Sequence, residues 1–140
     1  MTYLLDTNVV AELTTRPKPA PAVIEWARSV PATEHFLSVI TIAEIEAGVE
    51  AAPDPLRRAA LELVLDGIRA EYQGRIAVID ERGATAYLAV HRQLKKVGAS
   101  IDPPDALIAA TAVANGWTLV SRTVKHLART GATVLNPWDY

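Results

Sequence analysis

Three acids carry most of the chemistry this sequence can do. Asp6 ends the apolar run Tyr3-Leu4-Leu5, Glu44 stands in Ala43-Glu44-Ile45 four residues before Gly48, and Asp105 follows Asp102-Pro103-Pro104. Carboxylates about 5 Å apart repel by roughly 3 kcal/mol per pair at an effective dielectric of about 20, so three in one pocket need a cation or a bound proton. The chain has no cysteine, which excludes disulfides, thiolate zinc sites and a cysteine nucleophile and leaves oxygen or imidazole to hold a metal. Oxygen donors suit the hard ions Mg²⁺ or Mn²⁺, which usually keep waters that a substrate phosphate can displace. A metal held this way activates water and stabilises a phosphoryl transition state, so the chemistry expected is metal-assisted hydrolysis of a phosphodiester.

Each acid also has an ordinary structural reading. Asp6 can serve as the N-cap of the helix that follows it, and Asp102 with Asp105 can act as an N-cap and an acid in the first helical turn, where the helix dipole favours negative charge. Glu44 shares its helix with Glu46 and Glu50, and periodicity alone does not choose between Glu44 and Glu46. The metal reading gains from position: all three acids fall just past a strand or near a helix start, and a parallel α/β sheet gathers such positions at the carboxyl ends of its strands.

The elements that must do this gathering follow from pattern. Tyr3–Leu5 reads as a buried strand, 7–13 as a short helix capped by Asp6, and Arg16-Pro17-Lys18-Pro19 as a connector. Pro21 suits the first position of a helix to about Ser29. A strand over 34–39 precedes a helix with Thr41 as its N-cap, carrying Ile42, Ile45 and Val49. From Asp54 to Tyr72 the residues Leu56, Ala60, Leu63, Val64, Gly67 and Ile68 recur at helical spacing and predict a core-facing stripe. A third strand over 75–80, a helix over 81–97 closed by Gly98, and an alanine-rich helix from Asp102-Pro103-Pro104-Asp105 to Asn115-Gly116 follow. Thr118–Val120 is a fourth strand, 124–129 a short helical turn and 132–135 a fifth strand. Strands alternating with helices, with no repeat or linker, predict one domain over residues 1–140: a three-layer α/β/α fold on a mostly parallel five-stranded sheet.

No apolar run approaches the roughly 20 residues of a membrane span, and the N-terminal segment has neither a basic region nor a small-residue cleavage site, so a soluble, cytoplasmic protein is expected. The net charge of −2 is not that of a generally nucleic-acid-binding chain. A nucleic-acid partner would be met by a local patch, for which Arg122, Lys125 and Arg129 are the candidates, although a solvated helix face explains them equally well. Asn8 and Ser121 are candidates for orienting the carboxylates by hydrogen bonds, against ordinary turn and cap roles. Trp26, Trp117 and Trp138 read as core.

Leu4-Leu5-Asp6-Thr7-Asn8, Ala43-Glu44-Ile45 with Gly48, Asp105-Ala106-Leu107-Ile108-Ala109-Ala110, and Leu119-Val120-Ser121-Arg122 followed by Asn136-Pro137-Trp138 resemble, as a set and in order, the PIN-domain ribonucleases. Among these the chain looks most like the VapC and FitB group of toxin-antitoxin ribonucleases. The resemblance implies RNA cleavage dependent on Mg²⁺ or Mn²⁺, a homodimer, inhibition by a cognate antitoxin, and Asp6, Glu44 and Asp105 as catalytic metal ligands; it selects Glu44 over Glu46. Asn8, Ser121 and Arg122 are then expected to orient the site or touch RNA.

The chain departs from the family at one segment. A further acid often follows the fourth strand there, and Ser121-Arg122-Thr123-Val124-Lys125-His126-Leu127 has Thr123 and His126 at the two acid positions. Three acids serve one ion with waters, while a second ion lacks a ligand; His126 or Asp102 could contribute at the rim, with a solvated helix residue as the ordinary reading of His126. The alternative function is a PIN-like module unable to cut, acting through RNA or protein contacts. A haloacid-dehalogenase-type phosphatase is disfavoured because Asn8 stands where a second acid is required, and a receiver domain because no acidic pair precedes a central-strand aspartate.

Overall fold

The computed structural model describes residues 1–140. Five strands form one all-parallel sheet in the order β3-β2-β1-β4-β5: β1 Tyr3–Leu5, β2 His35–Ser38, β3 Ile76–Ala77, β4 Thr118–Val120 and β5 Val134–Leu135. The helices are α1 Thr7–Thr14, α2 Pro21–Ser29, α3 Val39–Ala51, α4 Pro55–Glu71, α5 Glu81–Lys96, α6 Pro103–Asn115 and α7 Val124–Ala128. No helix is long and apolar enough to cross a membrane.

Strand alternation divides the core. Successive residues of a strand point to opposite faces, so Leu4 and Leu119 pack with Ile108, Ala109 and Ala112 of α6 and Leu127 of α7, while Leu5 and Val120 pack with Val9, Val10, Val23, Trp26 and Ile68 from α1, α2 and α4. Both layers are dry, since these side chains are at most 3% exposed. Fully burying such residues contributes about 1.5–3 kcal/mol each, which fixes β1 in the centre. A third cluster, Ala86, Val90, Leu94, Ala106 and Ala110, joins α5 to α6; the small residues let the two helices approach closely.

The strand order gives the molecule its switch point. From β1 the chain first builds outward through β2 and β3, then returns to place β4 on the other side of β1. A crevice opens at the carboxyl ends where the winding direction changes, between β1 and β4. Asp6 follows β1 and Ser121 follows β4 at that crevice, and the Asp6 N–H donates to the Val120 carbonyl at 2.9 Å.

Three details differ from the pattern-based expectations. Ser38, not Thr41, caps α3: its hydroxyl accepts from the Ile40 N–H, and Val39 is already helical, so β2 is shorter than 34–39. Thr41 is buried inside the helix instead. β3 is two residues long rather than six. It is an edge strand whose only partner, β2, turns into α3 after Ser38, so nothing remains for Val78 to pair with, and that side chain is exposed. The stripe on α4 is covered only in part: of the residues expected, Ile68 is buried and Val64 partly so, joined by buried Leu65 and partly buried Tyr72, whereas Leu56 is 82% and Leu63 73% exposed. The helix carries apolar residues on two faces, and only the one that joins the core cluster beside α1 and α3 is covered.

Candidate metal and nucleic-acid site

The carboxylate of Asp6 is fixed from both sides. One oxygen accepts the Thr7 N–H at 2.8 Å, which is its helix-capping role, and the other accepts the Ser121 hydroxyl at 2.7 Å. Ser121 is fully buried, and its oxygen also accepts from Asn8 Nδ2 at 3.3 Å and from the Thr123 N–H at 3.0 Å. A hydroxyl has one proton and two acceptor positions. With both acceptor positions taken, the single proton is committed to Asp6. Asn8 Nδ2 also reaches Thr123 Oγ1, and its Oδ1 accepts the Arg122 N–H at 3.4 Å, tying the start of α1 to the segment after β4.

Glu44 is positioned by a second hydroxyl chain. Thr7 Oγ1 donates to Glu44 Oε1 at 2.7 Å and lies 3.0 Å from Thr41 Oγ1. Since the one proton of Thr7 goes to Glu44, Thr41 must donate to Thr7. Thr41 and Glu44 are three residues apart on α3 and so share a face. Glu46 points elsewhere, to Arg69 of α4 at 2.8 Å, and this geometry separates the two glutamates that periodicity left open. Neither Thr7 nor Thr41 figured among the expected site residues. Their signal was a hydroxyl following a strand-end acid and another one helical turn before Glu44, weak cues because threonines at helix starts usually cap.

Asp105 lies in the first turn of α6, and Asp102, at the N-cap position, makes no side-chain capping bond. The paired capping role considered for these two acids is therefore not taken up. Burial raises the Asp105 carboxyl above its ordinary value, and the negative charges of Asp6, Glu44 and Asp102 raise it further, with His126 alone opposing. Burial likewise raises Asp6, against the hydrogen bonds from Ser121 and Thr7. The three acids thus share one electrostatic environment, although they come from the ends of β1, the second turn of α3 and the start of α6. As the side chains lie, they do not form a ready-made set of three ligands. The donors are all hard oxygens, and the charge pressing on Asp105 is what a divalent cation would relieve, so the set fits Mg²⁺ or Mn²⁺ by chemistry and requires side-chain rotation to close on an ion.

His126 lines a cleft of about 220 Å³ with Asp102, Asp105 and Thr123, at the rim rather than away from the acids. The Arg122 guanidinium lies over the Trp138 ring, 5.0 Å from its centre, so Arg122 approaches Asn8 only through its backbone N–H. Trp26 is core, while Trp117 and Trp138 are only partly buried.

Relatives carry the same architecture over their whole lengths. The chain is 34% identical over 137 residues to the VapC ribonuclease Y4jK of Sinorhizobium fredii, covering 97% of each chain. It is 34% identical over 136 residues to toxin FitB of Neisseria gonorrhoeae, covering 96% of this chain and 97% of that one. A crystal structure of FitAcB from Neisseria gonorrhoeae matches with a TM-score of 0.91 at 33% identity, over 99% of this chain and all of that chain. The family model described as PIN domain matches residues 3–131, a span that runs from β1 past α7 and contains all three acids. On that match, and with these relatives aligned over nearly the whole chain, the chain belongs to the PIN-domain family.

Proposed function

We propose that this protein is a Mg²⁺- or Mn²⁺-dependent endoribonuclease acting as the toxin of a toxin-antitoxin pair, with Asp6, Glu44 and Asp105 as the metal-holding catalytic residues and residues 1–140 as one domain. The observation that carries the reading is geometric: Thr7 bonds Asp6 through its N–H and Glu44 through its hydroxyl, so acids from distant parts of the sequence meet at one residue, and the charges of both raise the Asp105 carboxyl. Similarity to a protein named VapC ribonuclease supports the reaction class, and similarity to one named toxin FitB supports the toxin role and a cognate antitoxin as partner.

A divalent cation, when bound, supplies positive charge to the phosphodiester and makes water more acidic. The chain's own residues prepare for it. Ser121 and the Thr7 N–H hold Asp6 in one rotamer, so no ordering cost remains for that carboxylate. Thr7 orients Glu44, and Thr41 keeps the Thr7 proton pointed at it. Asp105 is the carboxylate that the charges of the other acids raise, so a cation would relieve it. Asn8 locks Ser121, and His126 at the rim faces the space where an RNA phosphate would approach.

The test is an RNA-cleavage assay beside a calorimetric Mn²⁺ titration, comparing wild type with Asp6→Asn and Asp105→Asn after circular dichroism has confirmed folding. Loss of both cleavage and the Mn²⁺ heat in the variants is the expected result, and cleavage equal to wild type refutes the assignment. Thr123 and His126 at the further acid position favour a second reading, a PIN-like binding module that does not cut. Wild type that binds RNA and leaves it intact at saturating Mg²⁺ selects that reading. The homodimer belongs to the same proposal, and sedimentation at micromolar concentration separates it from a monomer.

A further inference from the structure

Two clefts adjoin beside Asp105. The cleft that holds Asp105, Thr123 and His126 is lined as well by Ser100, Ile101 and Asp102. Ser100 and Ile101 also line a second cleft of about 350 Å³, together with His91, Arg92, Leu94 and Lys95 from the last two turns of α5. The two clefts are therefore neighbours that share Ser100 and Ile101. Its floor is apolar, because Leu94 is part of the buried cluster between α5 and α6 and Ile101 packs against that cluster.

The cations of this second cleft have no carboxylate partner in the fold. Arg92 and Lys95 are three residues apart and His91 and Lys95 four, so all three lie on one helix face. The side-chain ion pairs of the protein use Arg16, Arg69 and Arg75. Residues 82–101 contain no acid at all. Across the whole chain, residues 1–81 carry seven lysines and arginines against thirteen acids, while residues 82–140 carry seven against three. The net charge of −2 conceals a basic second part. Lys95 and Lys96 also suit the negative end of the α5 dipole, but that role needs neither Arg92, a turn further in, nor a cleft.

We propose that an RNA strand seated at the acids continues over Ser100 and Ile101 into this second cleft, where Arg92 and Lys95 hold its backbone phosphates. The inference rests on the ribonuclease reading above and adds the path of the strand to it. Contacts from lysine and arginine to phosphate supply affinity without sequence information, and the apolar floor offers riboses and bases a surface that reads no particular base. Thr123 and His126, from the segment that also bears Lys125 and Arg129, line the first cleft beside Asp105.

The test uses the full chain in EDTA, so that nothing is cut, and follows the fluorescence anisotropy of a fluorescein-labelled 12-nucleotide single-stranded RNA as salt is raised. Each lost phosphate contact lowers the slope of log affinity against log salt by about 0.7 for a single strand. Arg92→Ala/Lys95→Ala is expected to lower the slope by about 1.4, so that between 50 and 200 mM salt wild type loses about sevenfold more affinity than the variant. Arg92→Lys/Lys95→Arg restores the slope, and the control Arg28→Ala/Arg57→Ala leaves it unchanged. Melting temperatures measured in parallel separate this from a helix-dipole role, which would lower stability without changing the slope. An unchanged slope in the alanine variant, or no binding by wild type, overturns the proposal. A wild type that shows the slope difference yet cleaves nothing in Mg²⁺ sinks the nuclease reading and leaves the strand path standing. A wild type that cleaves, with an alanine variant that binds and cleaves identically, sinks the path alone.

Discussion

Replacing Ser121 with alanine removes one oxygen and tests how the acid site is held. In wild type that oxygen gives its proton to Asp6 at 2.7 Å and accepts from Asn8 and the Thr123 N–H, all without exposure to solvent. A hydrogen bond to an ionised group contributes about 1.5–3 kcal/mol, against about 0.5–1.5 kcal/mol for a neutral pair. At pH 7.5, where Asp6 is a carboxylate, Ser121→Ala should therefore destabilise by about 1.5–3 kcal/mol. Burial already raises Asp6 above 3.8, so this acid opposes folding when ionised and its penalty fades as pH falls through its folded value. Below pH 3.8, the ordinary value of Asp6, the partner is a neutral carboxyl, and the cost of the substitution should shrink to about 0.5–1.5 kcal/mol. Urea unfolding at pH 7.5 and at a pH below 3.8, with equal m-values as the condition for comparison, measures both numbers. Cleavage should slow by about 10- to 100-fold, as for other groups that orient a ligating carboxylate. A stability loss that is the same at both pH values would show that Ser121 acts by packing and would refute the claim that its proton serves the Asp6 charge.

Thr7→Val keeps the shape of the side chain and removes the hydroxyl that bonds Glu44, so cleavage should fall by about 10- to 100-fold in a single-turnover assay while the protein stays folded. Leu65→Ala should cost about 2–5 kcal/mol in urea unfolding and Leu63→Ala less than about 0.5 kcal/mol, the reverse of what the sequence stripe on α4 implies. His35 is buried, stacks on Trp26 at 5.5 Å and has no partner for Nε2; burial, then Arg75, lowers its pKa, with Glu34 opposing. It is therefore held neutral, and its stabilising effect is complete above 6.5 and lost as pH falls through its lowered folded value. His35→Phe should flatten the decline of melting temperature below pH 6.5, and an unchanged profile in that variant excludes His35 as its source.

The architecture was readable because its signals are local and strong. Pro21 marked the start of α2, Asp54 that of α4 and Gly116, at φ +67°, the end of α6, each through a conformation or capping bond the residue itself supplies. Strand lengths were not readable, because a strand extends only as far as its neighbour does, and β3 stops where β2 turns away. The face of α4 was only partly legible for a related reason. Leu56, Ala60, Leu63, Val64, Gly67 and Ile68 recur at helical spacing, but so do Leu61, Val64, Leu65, Ile68 and Tyr72, and sequence alone carries no record of which apolar positions the neighbouring helices cover. At the proposed site, Asp6 and Asp105 stood out from their places at element junctions, whereas the choice of Glu44 over Glu46 came from the family resemblance. Its distinction from Glu46 lies in partners far off in sequence, Thr7 for one and Arg69 for the other.

Those distant partners also bear on how RNA is reached. At physiological ionic strength the Debye length is about 8 Å, so a strand approaching the crevice is governed by charges within that range and not by the total of the chain. Near Asp105 the acids are Asp6, Glu44 and Asp102, and they repel a phosphate as firmly as they repel one another. An RNA strand therefore cannot be drawn in by the acids themselves. Capture has to begin on the cations of α5 or α7, and the scissile phosphate can settle only once the carboxylates are neutralised. Cation binding at the acids and RNA binding should consequently be cooperative, through the acids and not through Arg92 and Lys95: Mn²⁺ should tighten binding of a non-cleavable RNA, one carrying 2′-O-methyl groups throughout, in wild type and in Arg92→Ala/Lys95→Ala by the same factor. In Asp105→Asn that factor should approach one. If Mn²⁺ tightens RNA binding equally in Asp105→Asn and wild type, the ion acts elsewhere, and the acids are not what keeps RNA out.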